Sequence, residues 1–288
     1  MLFASYNIQY GTGKDGKIDL RRIADAVRGA DVIAMQEVER FWPRTGDVDQ
    51  PAVLAEALEG YYWVYGPGYD MHADGAPPGN RRRQFGNMIL SRTPIISSRN
   101  HLLPKFGTAT LHSIQRTAVE TVIDTPKSGA MRVYSTHLSH LSDGDRGPQI
   151  DRLLEIYRTA PSEGGAWSGG HRDAGWTQGK APPPMPQQAV FMGDFNMTAD
   201  SPLYARLVGP HSAEYGRMTA IDGLVDAYVA AGHAEESGIT CDSTKNRRLY
   251  RIDYCFASSS LAGRIRRAWI DDKAQGSDHQ PIWTEIDL

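Results

Sequence analysis

The chain has 288 residues, of which 40% are hydrophobic and 23% charged, values typical of a protein with a sizeable buried core. Lys and Arg total 31 against 34 Asp and Glu, and the net charge of −3 excludes a strongly cationic chain that binds nucleic acid through bulk charge alone, although a local basic groove stays compatible. The two cysteines exclude a disulfide framework and a cysteine-rich metal cluster.

Short segments that are rich in apolar or β-branched residues and end at turn signals predict strands. In chain order these segments are 2–8, 32–38, 61–65, 87–91, 119–123, 131–138, 189–193, 251–257, 264–270 and 281–286. Helices are predicted from a cap at Asp19 to about Val27, from Pro51 to a stop at Gly60, and from Pro148 onward. Many strands with few helices favour packed sheets that are flanked by helices.

Two stretches, 66–85 and 162–186, interrupt this pattern and are predicted to be long loops. The first contains three arginines at 81–83, a run more typical of a solvated face than of a polyanion site. The second is rich in Gly and Pro and carries Trp167 and Trp176. Because strand-like segments resume on both sides, neither reads as a domain linker, and long loops within a domain are typically functional or disordered. We therefore expect a single domain over residues 1–288.

Location follows from what the sequence lacks. No run approaches the ~18 apolar residues that a transmembrane helix needs. The N-terminus, MLFASYNIQYG, has neither the basic start nor the apolar stretch of a secretion signal. We expect a cytoplasmic protein without a transmembrane segment, and the sequence indicates no protein partner.

Polar residues suited to metal or phosphate chemistry stand at the ends of six predicted strands or just beside them. Each alone is weak evidence, since an Asn before a turn or a Glu after a buried strand is usually structural. Because all six endings carry types that bind hard cations or move protons, we predict that they converge in one cleft. The residues are Asn7, Glu37, His137, Asp194 with Asn196, Asp253, and Asp278 with His279.

These residue types favour phosphoester hydrolysis with a divalent metal. Mg²⁺ prefers carboxylate, amide and water oxygens. Glu37 and Asp278 are the candidate carboxylates, and Asn7 is either a neutral oxygen ligand or an orienting group. The chain has no HxxxH, CxxC or three-histidine spacing, so a zinc site is less favoured.

The remaining residues suit proton transfer and phosphate binding. His279 is a candidate proton-transfer group or phosphate donor, and Asp253 is the carboxylate that would fix its tautomer and favour its charged form. Asp194 and Asn196 are candidates for the carboxylate beside the attacking water and the amide that holds it. The spacing of Asp194 and Asn196 puts both on one side of a strand-to-loop turn.

Two further polar residues are ambiguous. Arg116 lies just before a predicted strand, where a phosphate contact and a surface ion pair are equally compatible. His140 follows His137 by three positions, so on a strand the two side chains face opposite sides. A metal-binding histidine pair is therefore not expected unless the strand ends between them.

Seven segments, in this order, resemble the endonuclease/exonuclease/phosphatase superfamily: YNIQYG, MQEVE, GNMILSR, THL, GDFN, RIDYCF and SDHQP. The resemblance covers nearly the whole chain and is to compact bacterial members of the deoxyribonuclease-like, apurinic endonuclease-like and sphingomyelinase-like groups. It implies a four-layer α/β/β/α sandwich of two mostly antiparallel sheets, with the active site at one end. It also implies dependence on Mg²⁺ or Mn²⁺ and in-line attack of water on a phosphoester.

The same resemblance implies residue roles, motif by motif. Asn7, Glu37 and Asp278 are implied to surround the metal. Asp194 is implied to position or deprotonate the attacking water, and Asn196 to help hold that water and the phosphate.

Three more roles follow from the resemblance. His279, oriented by Asp253, is implied to contact the phosphate as a general base or as a charged stabiliser of the transition state. His137 matches the histidine that deoxyribonuclease-like and sphingomyelinase-like members use near the leaving group, where apurinic endonucleases have a tyrosine. Together with Asn196, His137 and Arg116 are the candidate substrate-binding residues.

Three functions are compatible with these motifs. We favour a phosphodiesterase or phosphomonoesterase that acts on a soluble small molecule or a lipid headgroup, because the net charge is −3 and no nucleic-acid module is added. A DNA or RNA nuclease with a local basic groove is the alternative. A catalytically silent binding protein on the same scaffold is the third, disfavoured because every expected metal and histidine position is occupied.

Overall fold

The computed structural model of the protein describes residues 1–73, 79–243 and 248–288. Its strands, numbered in chain order, are β1 (Leu2–Asn7), β2 (Val32–Arg40), β3 (Tyr62–His72), β4 (Arg82–Ser91), β5 (Ile95–Leu102), β6 (Thr117–Thr125), β7 (Gly129–His137), β8 (Ala189–Asp194), β9 (His211–Ser212), β10 (Gly216–Arg217), β11 (Leu224–Asp226), β12 (Cys241–Ser243), β13 (Arg248–Tyr250), β14 (Asp253–Ser258), β15 (Ile265–Ile270) and β16 (Ile282–Ile286). The helices are α1 (Leu20–Val27), α2 (Gln50–Ala57), α3 (Asp143–Glu163), α4 (Pro202–Val208) and α5 (Ala227–Ala230), with short 3₁₀ turns at Gln9–Gly11, Pro43–Thr45 and Ser259–Arg264.

The strands build two sheets of six strands each. The first sheet has the order β15-β16-β1-β2-β4-β3, and the second has the order β11-β14-β8-β7-β6-β5. Neighbouring strands are antiparallel except for the pairs β1–β2 and β7–β8, which run parallel. The four short strands β9, β10, β12 and β13 form two separate two-stranded ribbons.

Three buried apolar clusters separate four layers. Between the sheets, Phe3 of the first packs in one cluster with Val133 of the second. On the outer face of the first sheet, α1 and α2 bury side chains such as Ile23. On the outer face of the second sheet, α3 and α4 pack over Phe191 through side chains such as Leu153. The protein is therefore a four-layer α/β/β/α sandwich with mostly antiparallel sheets, which confirms what the family resemblance implies.

The helix boundaries confirm one prediction from the sequence and contradict another. The prediction for α1 is confirmed, and the Asp19 carboxylate accepts a hydrogen bond from the backbone N–H of Arg22 at 3.0 Å. The predicted start of α3 is wrong, because Pro148 lies inside the helix. The helix begins earlier, where the hydroxyl of Ser142 accepts a hydrogen bond from the backbone N–H of Asp145 at 3.2 Å.

The prediction of a long loop over residues 66–85 is mostly wrong. β3 continues through its first residues and β4 occupies its last, while residues 74–78 within it lie outside the described part of the chain. The second loop, by contrast, holds no helix or strand over 164–188, a range that the structure describes throughout. Trp176 in that loop is 76% exposed. Among the helices of the described residues, none is both long and apolar enough to cross a membrane.

Candidate active site

Four strand ends at one edge of the two sheets carry predicted site residues. Asn7 ends β1 in the first sheet, and His137 and Asp194 end the neighbouring strands β7 and β8 in the second. Because β7 and β8 run parallel, His137 lies across from Asp194 in the pairing register. Asp253 begins the antiparallel strand β14 and pairs with Asp194 from the other side. Residues far apart in the sequence thus meet at one edge.

Glu37 reaches this edge through an irregularity of β2. The pairing of β2 with β4 shifts register between Met35 and Val38, and Glu37 has a φ of 58°, in the left-handed region. Such a bulge re-aims a side chain at a cost in backbone strain. The Glu37 carboxylate thereby comes to 3.3 Å from Nδ2 of Asn7 and 3.9 Å from Nδ1 of His137.

Asn7 links two carboxylates. Its Nδ2 donates to Oδ2 of Asp194 at 3.0 Å and to Oε1 of Glu37 at 3.3 Å. Its Oδ1 accepts a hydrogen bond from the backbone N–H of Gln9 at 3.1 Å. Of the two roles that the sequence leaves open, this geometry favours the orienting group over the neutral oxygen ligand.

Gln9 is a site residue that the sequence reasoning missed. Its Nε2 donates to Oδ2 of Asp278 at 3.0 Å, and its φ of 44° turns the chain sharply after β1. Gln9 lies within the YNIQYG segment, but a glutamine in a turn carries no signal that distinguishes it from a solvated one.

His279 is held between two buried aspartates. Its Nδ1 lies 2.8 Å from Oδ2 of Asp253, and its Nε2 lies 3.8 Å from Oδ2 of Asp194. Burial lowers the pKa of His279, but the charge of Asp253 and its hydrogen bond outweigh burial, so the pKa lies well above its usual value. The hydroxyl of Thr240, a residue the sequence reasoning missed, accepts from the backbone N–H of Asp253 at 3.0 Å and fixes the start of β14.

Asp194 accepts hydrogen bonds at both of its carboxylate oxygens. Its Oδ1 accepts from the backbone N–H of Asn196 at 2.8 Å, while its Oδ2 accepts from Asn7. Burial, followed by the adjacent charge of Asp253, raises the pKa of Asp194 to about 7, although His279 opposes this effect. In the absence of a bound cation, Asp194 therefore holds a proton far more readily than an exposed aspartate.

His137 is neutral, and its tautomer follows from Asn196. Nδ2 of Asn196 donates to the carbonyl oxygen of Leu138 at 3.0 Å, and this carbonyl can only accept, so the amide nitrogen faces it. The same nitrogen lies 3.0 Å from Nε2 of His137, which must then be the acceptor. Burial, with the nearby cations Arg116 and His279, lowers the pKa of His137 well below its usual value. Nδ1 of His137 consequently carries the hydrogen, and this N–H has no hydrogen-bond acceptor among the described residues.

Arg116 is buried in the wall of the cleft, with only 6% of its surface exposed. None of the carboxylates in the described ranges lies within 4.0 Å of its guanidinium, so the alternative of a surface ion pair is wrong. Its Nη2 lies 3.1 Å from Nδ1 of His140. β7 ends at His137, so His140 turns back into the cleft instead of facing away from it.

The residues surround an open cleft of about 770 Å³. Asn7 and Asp253 lie behind its wall, and the other predicted site residues line it: Glu37, Arg116, His137, Asp194, Asn196, Asp278 and His279. The outer rim adds Asp143, Arg146, Asp200 and Tyr250. The structure therefore brings every predicted site residue to one place.

The donor set of the cleft fits a hard divalent cation. Glu37, Asp194 and Asp278 converge there, and none of them pairs with a Lys or Arg in the part of the chain that the structure describes. Burial raises the pKa of Glu37 although the charges of His279 and Arg116 oppose this effect, so a bound cation would favour the ionised carboxylate further. Asp194, Asp253 and His279 also offer ligand atoms within 4.8 Å of one another, but the Asp253–His279 hydrogen bond occupies two of these groups. The Glu37–Asp278 side is therefore the better cation site.

Comparisons with known proteins agree with this architecture. The sequence profile described as the Endonuclease/Exonuclease/phosphatase family matches residues 4–279. A family protein from Beutenbergia cavernae DSM 12333 is similar with 23% identity and a TM-score of 0.68, over 100% of this chain and 71% of that one. A family protein from Leptotrichia buccalis C-1013-b has 19% identity and a TM-score of 0.65, with 100% of both chains covered.

A third similar structure comes from a protein with a stated activity. ANGEL2, described as a 2',3'-cyclic phosphatase, has 16% identity and a TM-score of 0.56, over 98% of this chain and 93% of its own. At these identities the solved structures support the fold alone. The match of the family profile covers almost the entire chain, and the protein therefore belongs to the endonuclease/exonuclease/phosphatase family.

Proposed function

We propose that the protein is a phosphodiesterase that depends on Mg²⁺ or Mn²⁺ and hydrolyses a small molecule or a lipid headgroup. The observation that carries the proposal is the meeting of Glu37, Asp194 and His279 in one cleft. A cytoplasmic location and a single catalytic domain over 1–288 stay predictions of the sequence.

Glu37 and Asp278 would hold the cation, with Asn7 and Gln9 fixing the two carboxylates through side-chain amides. A bound divalent cation supplies charge stabilisation to a phosphoryl group as negative charge develops on it. Oxygen donors and incomplete protein pairing suit Mg²⁺ and Mn²⁺ better than zinc.

Asp194 and Asn196 would hold the attacking water, because Asp194 ends β8 and Asn196 lies in the turn that follows it. His279 would donate to a phosphoryl oxygen through Nε2, since Asp253 occupies Nδ1 and favours the charged ring. His137 is neutral and lines the cleft beside Asn196, where it would lie on the side of the leaving group. Each residue is therefore assigned to a role that matches its protonation state.

The surroundings of the cleft favour a small substrate over a nucleic acid. Asp200 lines the outer rim and pairs with no Lys or Arg among the described residues, so its charge would disfavour a polyanion there. Of the three arginines at 81–83, Arg81 and Arg82 face carboxylates of the protein itself. The basic run is thus partly neutralised and offers less attraction to a phosphate backbone.

The test compares substrates under one metal condition. The purified protein is assayed with Mn²⁺, with Mg²⁺ and with EDTA on bis-p-nitrophenyl phosphate, glycerophosphodiesters, p-nitrophenyl phosphate, supercoiled plasmid and single-stranded oligonucleotides. We expect diester hydrolysis that EDTA abolishes and that added Mn²⁺ restores.

Each alternative has its own result in this assay. Faster cleavage of plasmid or oligonucleotide than of small diesters would establish the nuclease instead. Faster hydrolysis of p-nitrophenyl phosphate would establish a monoesterase. No turnover of any substrate with either metal would leave the silent binding protein as the remaining explanation.

A further inference from the structure

Arg116 is a buried cation of the cleft without a carboxylate partner among the described residues. Its guanidinium has a second end, Nη1, which is buried and lacks a hydrogen-bond partner within the described ranges. A guanidinium donor that stays unpaired away from water costs free energy. Arg116 contributes to the lining of the cleft, so its guanidinium is a charged group that a bound oxyanion would neutralise.

The position of Arg116 follows from the second sheet. Arg116 immediately precedes β6, and its carbonyl oxygen accepts from the backbone N–H of Leu103 at 2.9 Å. β6 runs antiparallel to β7, so the start of β6 lies beside the end of β7, where His137 stands. The charge of Arg116 contributes to the lowered pKa of His137, as expected for neighbours. The guanidinium therefore lies on the leaving-group side of the cleft.

His140 fixes the other end of this guanidinium. Its Nδ1 lies 3.1 Å from Nη2 of Arg116, and because arginine has no acceptor, Nδ1 must accept. The ring is then neutral with its hydrogen on Nε2. Burial and Arg116 lower the pKa of His140, with His112 and Arg146 acting in the same direction and Asp145 opposing them.

We infer that His140 is a positioning residue that holds the guanidinium of Arg116 in the cleft wall, where it faces a non-bridging oxygen of the substrate phosphoryl group. The inference rests on the proposed function and adds to it the residue that orients the substrate-binding arginine. Arg116 touches the substrate, and His140 acts only through Arg116. The guanidinium is planar, so a hydrogen bond at Nη2 restricts the orientation of the whole group.

Two substitutions of His140 separate orientation from mere packing. His140→Asn keeps an acceptor oxygen near the position of Nδ1, whereas His140→Phe keeps a ring but has no acceptor. With the Mn²⁺-loaded protein, we expect His140→Phe to raise the KM for bis-p-nitrophenyl phosphate and the inhibition constant of inorganic phosphate roughly 3- to 10-fold. We expect His140→Asn to stay within about 2-fold of wild type. His112→Phe, nearby and exposed, is the matched control and should change neither constant.

A double-mutant cycle tests the dependence on Arg116. Arg116→Gln alone should weaken phosphate inhibition by about 10-fold or more, because a charged donor is lost. In Arg116→Gln/His140→Phe, no further weakening is expected, since His140 has nothing left to orient. Additive effects, or equal effects of His140→Asn and His140→Phe, would overturn the inference while leaving the proposed function intact.

The histidine tautomer supplies a readout that does not depend on turnover. In ¹⁵N spectra at neutral pH, His140 should show an unprotonated Nδ1 and a protonated Nε2 in wild type, and Arg116→Gln should alter the Nδ1 shift. A protonated Nδ1 in wild type would contradict the geometry. If the wild-type protein hydrolyses no phosphoester, the proposed function fails by itself, and calorimetric phosphate binding to these variants still decides the inference.

Discussion

The two halves of the cleft differ in how their polar groups are satisfied. The carboxylate half consists of Glu37 and Asp278 with the amides of Asn7 and Gln9. Each of these carboxylates receives one side-chain amide, at 3.3 Å and 3.0 Å respectively. The histidine half consists of His137, Asp194, Asn196, Asp253 and His279, and it is connected internally by hydrogen bonds.

This difference indicates how the work is divided. No Lys or Arg among the described residues pairs with the carboxylates of this half, and the proposed function therefore places a cation from solution there. The histidine half sets its own protonation states through burial and Asp253, and it needs no added group to orient its rings. The activity of Glu37 variants should therefore respond to metal concentration, and the activity of His279 variants should not.

His279→Ala is the severest test of the histidine half. Losing one preorganised donor to the developing phosphoryl charge typically costs ~10²–10³ in rate, and we expect kcat to fall by at least that order. The thermal unfolding midpoint checks that the variant is folded. His233→Ala is the control, because His233 is exposed and donates a hydrogen bond to the carbonyl oxygen of Ala268. The kcat of this variant should equal that of the wild type. Near-normal turnover by folded His279→Ala would remove His279 from the mechanism.

Glu37→Gln tests the carboxylate half. We expect activity at limiting Mn²⁺ to fall about 100-fold, because one anionic ligand is lost while the shape of the side chain is kept. Raising the Mn²⁺ concentration should restore part of this loss in Glu37→Gln and none of it in His279→Ala. The measurement is kcat as a function of Mn²⁺ for both variants. Equal responses to Mn²⁺ would show that the two halves are not separate.

The strand-end positions of both halves were predictable, since buried strands such as β2 and β8 are apolar runs that end in polar residues. The direction of the Glu37 side chain was not, because it depends on a bulge that only the pairing with β4 reveals. The position of His140 has a related cause. Strand alternation places it opposite His137, but β7 ends at His137 and the alternation no longer applies.

The sequence also gives little signal for a strand at the edge of a sheet. β5 is an edge strand whose residues alternate between half-buried and exposed, and its Ser, Arg and Asn side chains give no apolar run. α4 did carry a signal, with Ser201 as its cap and Pro202 in its first turn. The sequence thus predicted the layers and the site edge, while partners set by tertiary packing, such as Gln9 with Asp278, required the structure.

The smallest expected effect concerns stability and joins the two halves at Asp194. Its folded-state pKa is raised to about 7, whereas an unfolded aspartate titrates near ~3.9. Between these values the unfolded state binds fewer protons than the folded state, so this group lowers the stability of the metal-free protein as pH rises. We expect the ionisation of Asp194 to lower the free energy of unfolding by roughly 1–3 kcal/mol between pH 4 and pH 7 in EDTA, since one pKa unit corresponds to ~1.4 kcal/mol.

Asp194→Asn should remove that loss of stability. The variant tests whether the cation stabilises the protein by compensating the charge of Asp194. Urea unfolding of wild type and Asp194→Asn at pH 5, 6 and 7 in EDTA should give a stability difference that shifts toward the variant as pH rises. Saturating Mn²⁺ should reverse the shift by stabilising the wild-type folded state. A difference that stays constant with pH would mean that Asp194 is already ionised in the metal-free fold. The histidine half would then carry its full charge without help from the carboxylate half or its cation.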